Sequence, residues 1–122
     1  MIDHLTVHVT DLAASAAFYD AVLTPMGARR LRDFGDVIGY GDDRPAFWIG
    51  TAQTPGAARE THLAFAAASR SAVRAFHDAA LRVGATVLHP PGLRPEYHEH
   101  YYAAYVRDPD GHNVEAVCRL PG

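Results

Sequence analysis

The chain has 122 residues, a net charge of −3 spread along its length, and one cysteine, Cys118. That length supports one domain with a core it can bury unaided, and a lone cysteine excludes an internal disulfide framework and fits a reducing, cytoplasmic setting. Dispersed charge gives no face for nucleic acid or a membrane surface, and the polar-interrupted start MIDHLTVHV reads as neither a leader nor a membrane span.

In chain order, a strand over about 2–9 leads into a helix over about 11–23, capped by Thr10 or Asp11 and ended by Gly27. Three further strands follow near 28–34, 36–41 and 45–50. The pattern then starts again. A strand over about 61–67 leads to a helix over about 69–83, capped by Ser69, with Val73, Phe76, Ala80 and Val83 on its apolar face and Gly84 at its end. Strands near 85–89, 100–107 and 112–118 complete the second half. The halves are similar in sequence as well as in pattern. Laying HLTVHVTDLAASAAFYDAVLTPMGAR on HLAFAAASRSAVRAFHDAALRVGAT matches His4 with His62, Leu5 with Leu63, Phe18 with Phe76 and Asp20 with Asp78. The expected architecture is α+β: two βαβββ modules, about 1–55 and about 60–122, within a single domain spanning 1–122. The segment HPPGLRPEYHEH reads as a Pro-rich loop over a site.

Period-two alternation puts Leu5, Val7 and Val9 on one face of the first strand, and Leu63 and Phe65 on the matching face of the second half's first strand. The opposite faces carry His4, Thr6 and His8, and His62, Ala64 and Ala66. The closing stretch RDPDGHNVEAVC places Glu115 inside an apolar strand. A carboxylate there costs several kcal/mol unless it is paired. A metal shared with the two repeat-related histidines would pair it; so would Arg107 or Arg119. His4, His62 and Glu115 make a two-imidazole, one-carboxylate ligand set that leaves positions open for water, oxygen or substrate. Such a set accepts Fe, Mn, Zn, Ni or Co.

The stretches HLTVHVTDLAASAAFYDAVL, HLAFAA and YVRDPDGHNVEAV resemble the vicinal oxygen chelate superfamily of glyoxalases, bleomycin resistance proteins and extradiol dioxygenases. The resemblance covers nearly the whole chain, including the family's His seven residues before Asp-Leu and its D-P-D-G-x-x-x-E. It implies a curved mixed sheet around a cleft, one divalent metal held by His4, His62 and Glu115, and a homodimer. The implied substrate is a small molecule that chelates the metal through adjacent oxygens, and the implied activity is that of a metal-dependent lyase/isomerase or a dioxygenase. Tyr105, ten residues before Glu115, takes the position of the dioxygenases' catalytic Tyr, with His98 or His100 as acid/base. Thr6, His8, Trp48 and Arg94 fall at substrate-side positions, and Trp48 stands where glyoxalase I has a second ligand Glu. The alternatives are a fosfomycin-type thiol transferase and a non-catalytic small-molecule binding or resistance protein. The resemblance leaves open whether the site forms within one chain or across a dimer.

Overall fold

The computed structural model describes residues 1–57 and 59–122. The first half runs β1 (Leu5–Val9), α1 (Leu12–Leu23), a short 3-10 turn (Thr24–Met26), β2 (Arg29–Asp33), β3 (Val37–Gly41) and β4 (Pro45–Thr51). The second runs β5 (His62–Ala66), α2 (Arg70–Arg82), β6 (Val87–Leu93), β7 (Tyr102–Arg107) and β8 (Asn113–Cys118). Each half folds into a four-stranded mixed sheet, ordered β1-β4-β3-β2 and β5-β8-β7-β6. The helix carries the chain away from the first strand, two antiparallel strands return it, and the last strand slots in parallel beside the first. The two βαβββ units expected from the repeat are therefore present. No helix among the described residues is long and apolar enough to cross a membrane.

Local chemistry fixes the helix ends. The Asp11 carboxylate accepts the Ala14 N–H at 3.1 Å, and the Ser69 hydroxyl accepts the Ala72 N–H at 3.1 Å. Such caps contribute about 1 kcal/mol each. Asp11 rather than Thr10 is the cap of α1; the Thr10 N–H instead donates to the Asp110 carboxylate at 3.1 Å. On α2 the buried face is Val73, Phe76, Ala79 and Ala80. Val83, expected on that face, is 44% exposed because the helix stops at Arg82 and Val83 is its C-cap.

The apolar faces of both sheets and both helices merge into one core that includes Val7, Val9, Tyr19, Val22, Val73, Phe76, Val106 and Val114. Phe47 meets Phe65 edge to face across the halves, with ring centroids 5.0 Å apart. A polar staple joins the halves too. Buried Asp108 of the DPDG turn accepts the Tyr19 hydroxyl at 2.7 Å and the His112 N–H at 2.9 Å. The Pro-rich segment departs from its expected loop. β6 runs on through Pro90 and Pro91 to Leu93, which leaves a shorter loop over residues 94–101. β6 is an edge strand whose register shifts between His89 and Gly92, so prolines that donate no N–H are tolerated there. The faces opposite the core, carrying Thr6 and His8 on β1 and His62, Ala64 and Ala66 on β5, stay exposed.

Candidate metal centre

On β8, alternation turns Val114 and Ala116 to the core and Glu115 to the other face of its sheet. That face carries a small apolar cluster of its own, Tyr101, Ala103, Tyr105 and Val117. The cluster leaves Glu115 only 2% exposed. Two side chains meet the buried carboxylate. The His62 Nε2 lies 2.7 Å from its Oε1, and the Tyr101 hydroxyl donates to its Oε2. Neither Arg107 nor Arg119 is its partner: Arg107 donates to Glu60 and to the Gly111 carbonyl, and the Arg119 guanidinium stacks on the Tyr101 ring. The β5–β8 ladder sets Ala64 beside Glu115, and the β7–β8 ladder sets Tyr105 on its other side.

These residues line an open cleft of about 570 Å³, together with His89, Arg94, Tyr97, Asn113 and Arg119. The His62 side chain is 54% exposed at its edge. Burial, followed by the hydrogen bond to Glu115, pushes the Tyr101 phenol above its ordinary value. Burial, followed by the negative charge of Glu115, pushes Tyr105 up as well. Both phenols hold their protons more tightly than a free phenol does; Tyr101 commits its proton to Glu115, and Tyr105 lines the cleft in its proton-bearing form.

His4 lies elsewhere. It immediately precedes β1, its side chain is 57% exposed, and its Nδ1 is 2.9 Å from Asp3 Oδ1. It borders a second cleft of about 480 Å³ with Thr6, Phe34, Arg44 and Trp48. Trp48 stacks on Phe34, with centroids 6.2 Å apart and planes inclined by 13°. It lies directly over Gly39, where a Cβ would sit 2.7 Å from the indole. His8 and Thr6 border a further groove with His112. His98 and His100 occupy the 94–101 loop, where His98 Nδ1 accepts the His100 N–H at 3.1 Å. Neither of the two lines the Glu115 cleft.

Of the expected residues, then, one chain brings together His62, Glu115, Tyr105 and Arg94, and keeps His4, Thr6 and Trp48 apart from them on the other sheet. Among the described residues, no three His, Cys, Asp or Glu side chains group to hold a metal. The cause is the packing. The halves meet through α1, α2 and their covered sheet faces, and His4 and His62 line different clefts. The donors that are present suit a divalent transition metal: one imidazole nitrogen, and one buried carboxylate met only by that imidazole and a phenol. They make two-thirds of a facial set. The sequence reading missed Tyr101 and His89 and considered Arg119 only as an ion-pair partner for Glu115. A signal for two of them was there, since Tyr101 shares a period-two face with Tyr105, and Arg119 shares one with Glu115.

The structure is similar to that of a glyoxalase/bleomycin resistance protein from Albidiferax ferrireducens T118, at 35% identity and a TM-score of 0.83, covering 95% of this chain and 97% of that one. It shares its fold with lactoylglutathione lyase from Agrobacterium tumefaciens, at 24% identity and a TM-score of 0.71, covering 100% and 96% of the two chains. It also shares its fold with the fosfomycin resistance protein FosX from Mesorhizobium loti, at 19% identity and a TM-score of 0.69, covering 97% and 91%. No curated protein matches the sequence. The family model for the Glyoxalase/Bleomycin resistance protein/Dioxygenase superfamily matches residues 1–116, and the chain belongs to that superfamily.

Proposed function

We propose that the chain is a metal-dependent enzyme of the glyoxalase/dioxygenase type, acting as a homodimer on a small substrate that chelates the metal through adjacent oxygens. The observation that carries this reading is the buried Glu115 carboxylate with His62 Nε2 at 2.7 Å, facing an open cleft. In the proposed dimer, His62 and Glu115 of one protomer and His4 of the partner subunit hold the metal. Two features support an arrangement between copies: the ligand candidates divide between two exposed faces, and β1 and β5 are both free sheet edges that a second copy can cover.

When bound, the metal supplies Lewis acidity toward the chelating oxygens. The protein's own groups do the rest. Glu115 and His62 are held in place by their mutual contact, and Tyr101 fixes the carboxylate by donating to its second oxygen. Tyr105, beside Glu115 in the ladder and kept neutral, donates its phenolic proton to a developing oxyanion or hydrogen-bonds it. Tyr105 is the proposed proton donor, since Tyr101 already donates to Glu115 and His98 and His100 lie outside the cleft lining.

The deciding experiment is subunit complementation. His4→Ala and Glu115→Gln variants are each expected to lose stoichiometric divalent-metal binding. Mixed and reassorted in equal amounts, they regenerate one intact site in each hybrid dimer, about a quarter of the wild-type sites. Metal content and turnover should both recover to that level. A mixture that recovers neither overturns the shared site, and full metal binding by both single variants overturns the metal centre itself.

A further inference from the structure

The Glu115 cleft holds two guanidiniums that, among the described residues, no carboxylate meets at ion-pair distance. Arg94 and Arg119 both line it. Among the described residues, neither makes an ion pair, and what sets the two apart from the other unpaired arginines is that they share one cleft with Glu115. Among the described residues lining the cleft the only carboxylate is Glu115, whose oxygens meet His62 and Tyr101 rather than either guanidinium, so one negative charge stands against two positive ones. Each guanidinium is held over a tyrosine. The Arg94 Cζ is 5.3 Å from the Tyr105 ring centroid, and the Arg119 Cζ is 4.9 Å from that of Tyr101. The ring attracts the cation at that distance, and among the described residues neither guanidinium donates a side-chain hydrogen bond that would occupy its N–H groups.

The backbone adds to the order. The Arg94 N–H donates to the Tyr101 carbonyl at 2.7 Å, which closes the neck of the 94–101 loop, and the Tyr97 and His98 N–H groups both donate to the Arg94 carbonyl. Arg94 is thereby anchored at the base of the loop rather than carried on its tip. Arg119 follows β8 directly, on the same alternation as Glu115 and Val117. The two cations thus stand over the two phenols that flank the carboxylate.

We propose that this pair of arginines is an oxyanion subsite, so that the substrate carries a carboxylate or phosphoryl group in addition to the oxygens that meet the metal. The proposal rests on the reading of the cleft as the reaction site and specifies the chemical class of its substrate. Planar guanidiniums with free edges match carboxylate and phosphoryl oxygens in bidentate geometry, and such charge-assisted bonds are about twice as strong as neutral ones. A neutral substrate of the same shape would leave both charges without a partner.

The test uses the full-length protein treated with a chelator, so that it does not depend on the metal. Phenylphosphonate, benzoate and neutral benzamide are titrated while tyrosine resonances or fluorescence are followed. The expected result is that at least one anion binds about 10- to 100-fold more tightly than benzamide, and that Arg94→Gln and Arg119→Gln each remove most of that preference. Which anion is favoured tells carboxylate from phosphoryl recognition. Arg94→Lys and Arg119→Lys retain the charge and should retain part of the preference, which separates lost charge from lost fold. Equal binding of anion and amide, no binding of either anion up to roughly 10 mM, or a preference that survives both Gln variants overturns the proposal. A parallel Zn²⁺ titration of the wild-type protein judges the metal reading separately. A protein that selects anions but binds no Zn²⁺ loses the metal centre and keeps the subsite.

Discussion

The two sheets are the same scaffold carrying opposite chemistry. In the first, β1 Thr6 pairs with β4 Trp48, which pairs with β3 Gly39. In the second, the corresponding ladder reads Ala64, Glu115, Tyr105. Each triplet sits on the face turned away from the core, and each sheet has a histidine just before or at the start of its first strand: His4 in one, His62 in the other. The first triplet is an indole laid over a glycine, an apolar wall. The second is a buried carboxylate beside a phenol, an anionic oxygen next to a proton donor. The repeated fold thus carries a histidine on both sides and a buried carboxylate on one, so the halves offer unequal chemistry to a ligand.

The sharpest way to break this contrast is to exchange the central residues. Glu115→Gln removes the anionic ligand and leaves His62 facing an amide. The expected outcome is loss of metal binding by at least about 100-fold and loss of turnover with it, since the metal prefers a charged oxygen donor. Trp48→Phe, at the equivalent rung, should leave metal stoichiometry unchanged. Isothermal titration with Zn²⁺ or Co²⁺ compares the two, and equal losses from both variants would remove the distinction between the halves. A smaller effect is expected from Tyr101→Phe. The carboxylate stays, but its Oε2 loses the only side-chain donor it has among the described residues. Metal affinity should fall by about 10- to 100-fold, the usual cost of removing a hydrogen bond behind a ligand. An unchanged affinity would show that Tyr101 does not orient Glu115.

The apolar wall has its own test. A Cβ added at Gly39 would lie 2.7 Å from the Trp48 ring, well inside contact distance. Gly39→Ala should therefore destabilise the fold by about 1–3 kcal/mol, the range for overpacking a filled site, and relieve most of that when combined with Trp48→Ala. Chemical denaturation of the single and double variants measures the coupling. Additive losses would mean that the indole moves aside freely, and the stacking on Phe34 would then be no constraint.

How far the sequence foretold this depends on which physical signal each feature leaves. The repeat was legible because strands and helices stamp periods of two and 3.6 on the chain, and both halves carry the same stamp. Glu115 was legible because a carboxylate amid Val114, Ala116 and Val117 violates burial rules and demands a partner. The path of β6 through Pro90 and Pro91 was not, since prolines signal a loop unless an edge position with shifted register excuses them, and that is a tertiary fact. Tyr101 was overlooked because the ten-residue spacing to Glu115 drew attention to Tyr105, although alternation puts both on one face. The separation of His4 from His62 and Glu115 left no trace in the sequence. A duplicated pattern is the same whether its halves face each other in one chain or in two.

The phenols offer the finest test of the contrast. Tyr19, Tyr40, Tyr101 and Tyr105, four of the chain's six tyrosines, are held above the ordinary phenol value, with burial as the first cause in every case. Their second causes differ between the two halves' tyrosines, with Asp108 of the second half reaching across to Tyr19. Asp108 acts on Tyr19 and Asp20 on Tyr40, whereas Glu115 acts on both Tyr101 and Tyr105. A phenol with a raised native value binds its proton more tightly folded than unfolded. Its contribution to stability is therefore complete below about pH 10, the unfolded value, and is lost as pH rises through the native one. Folding stability should accordingly fall above about pH 10, with much of the phenolate absorbance appearing together with unfolding rather than before it. In Glu115→Gln, Tyr101 and Tyr105 lose the charge that adds to their burial, so part of the phenolate signal should move to lower pH while that of Tyr19 and Tyr40 stays in place. Site-resolved tyrosine titration by NMR distinguishes the four. A Glu115→Gln variant whose Tyr101 and Tyr105 titrate as in the wild type would show that burial alone governs them, and that the carboxylate does not couple to the phenols of its own cleft.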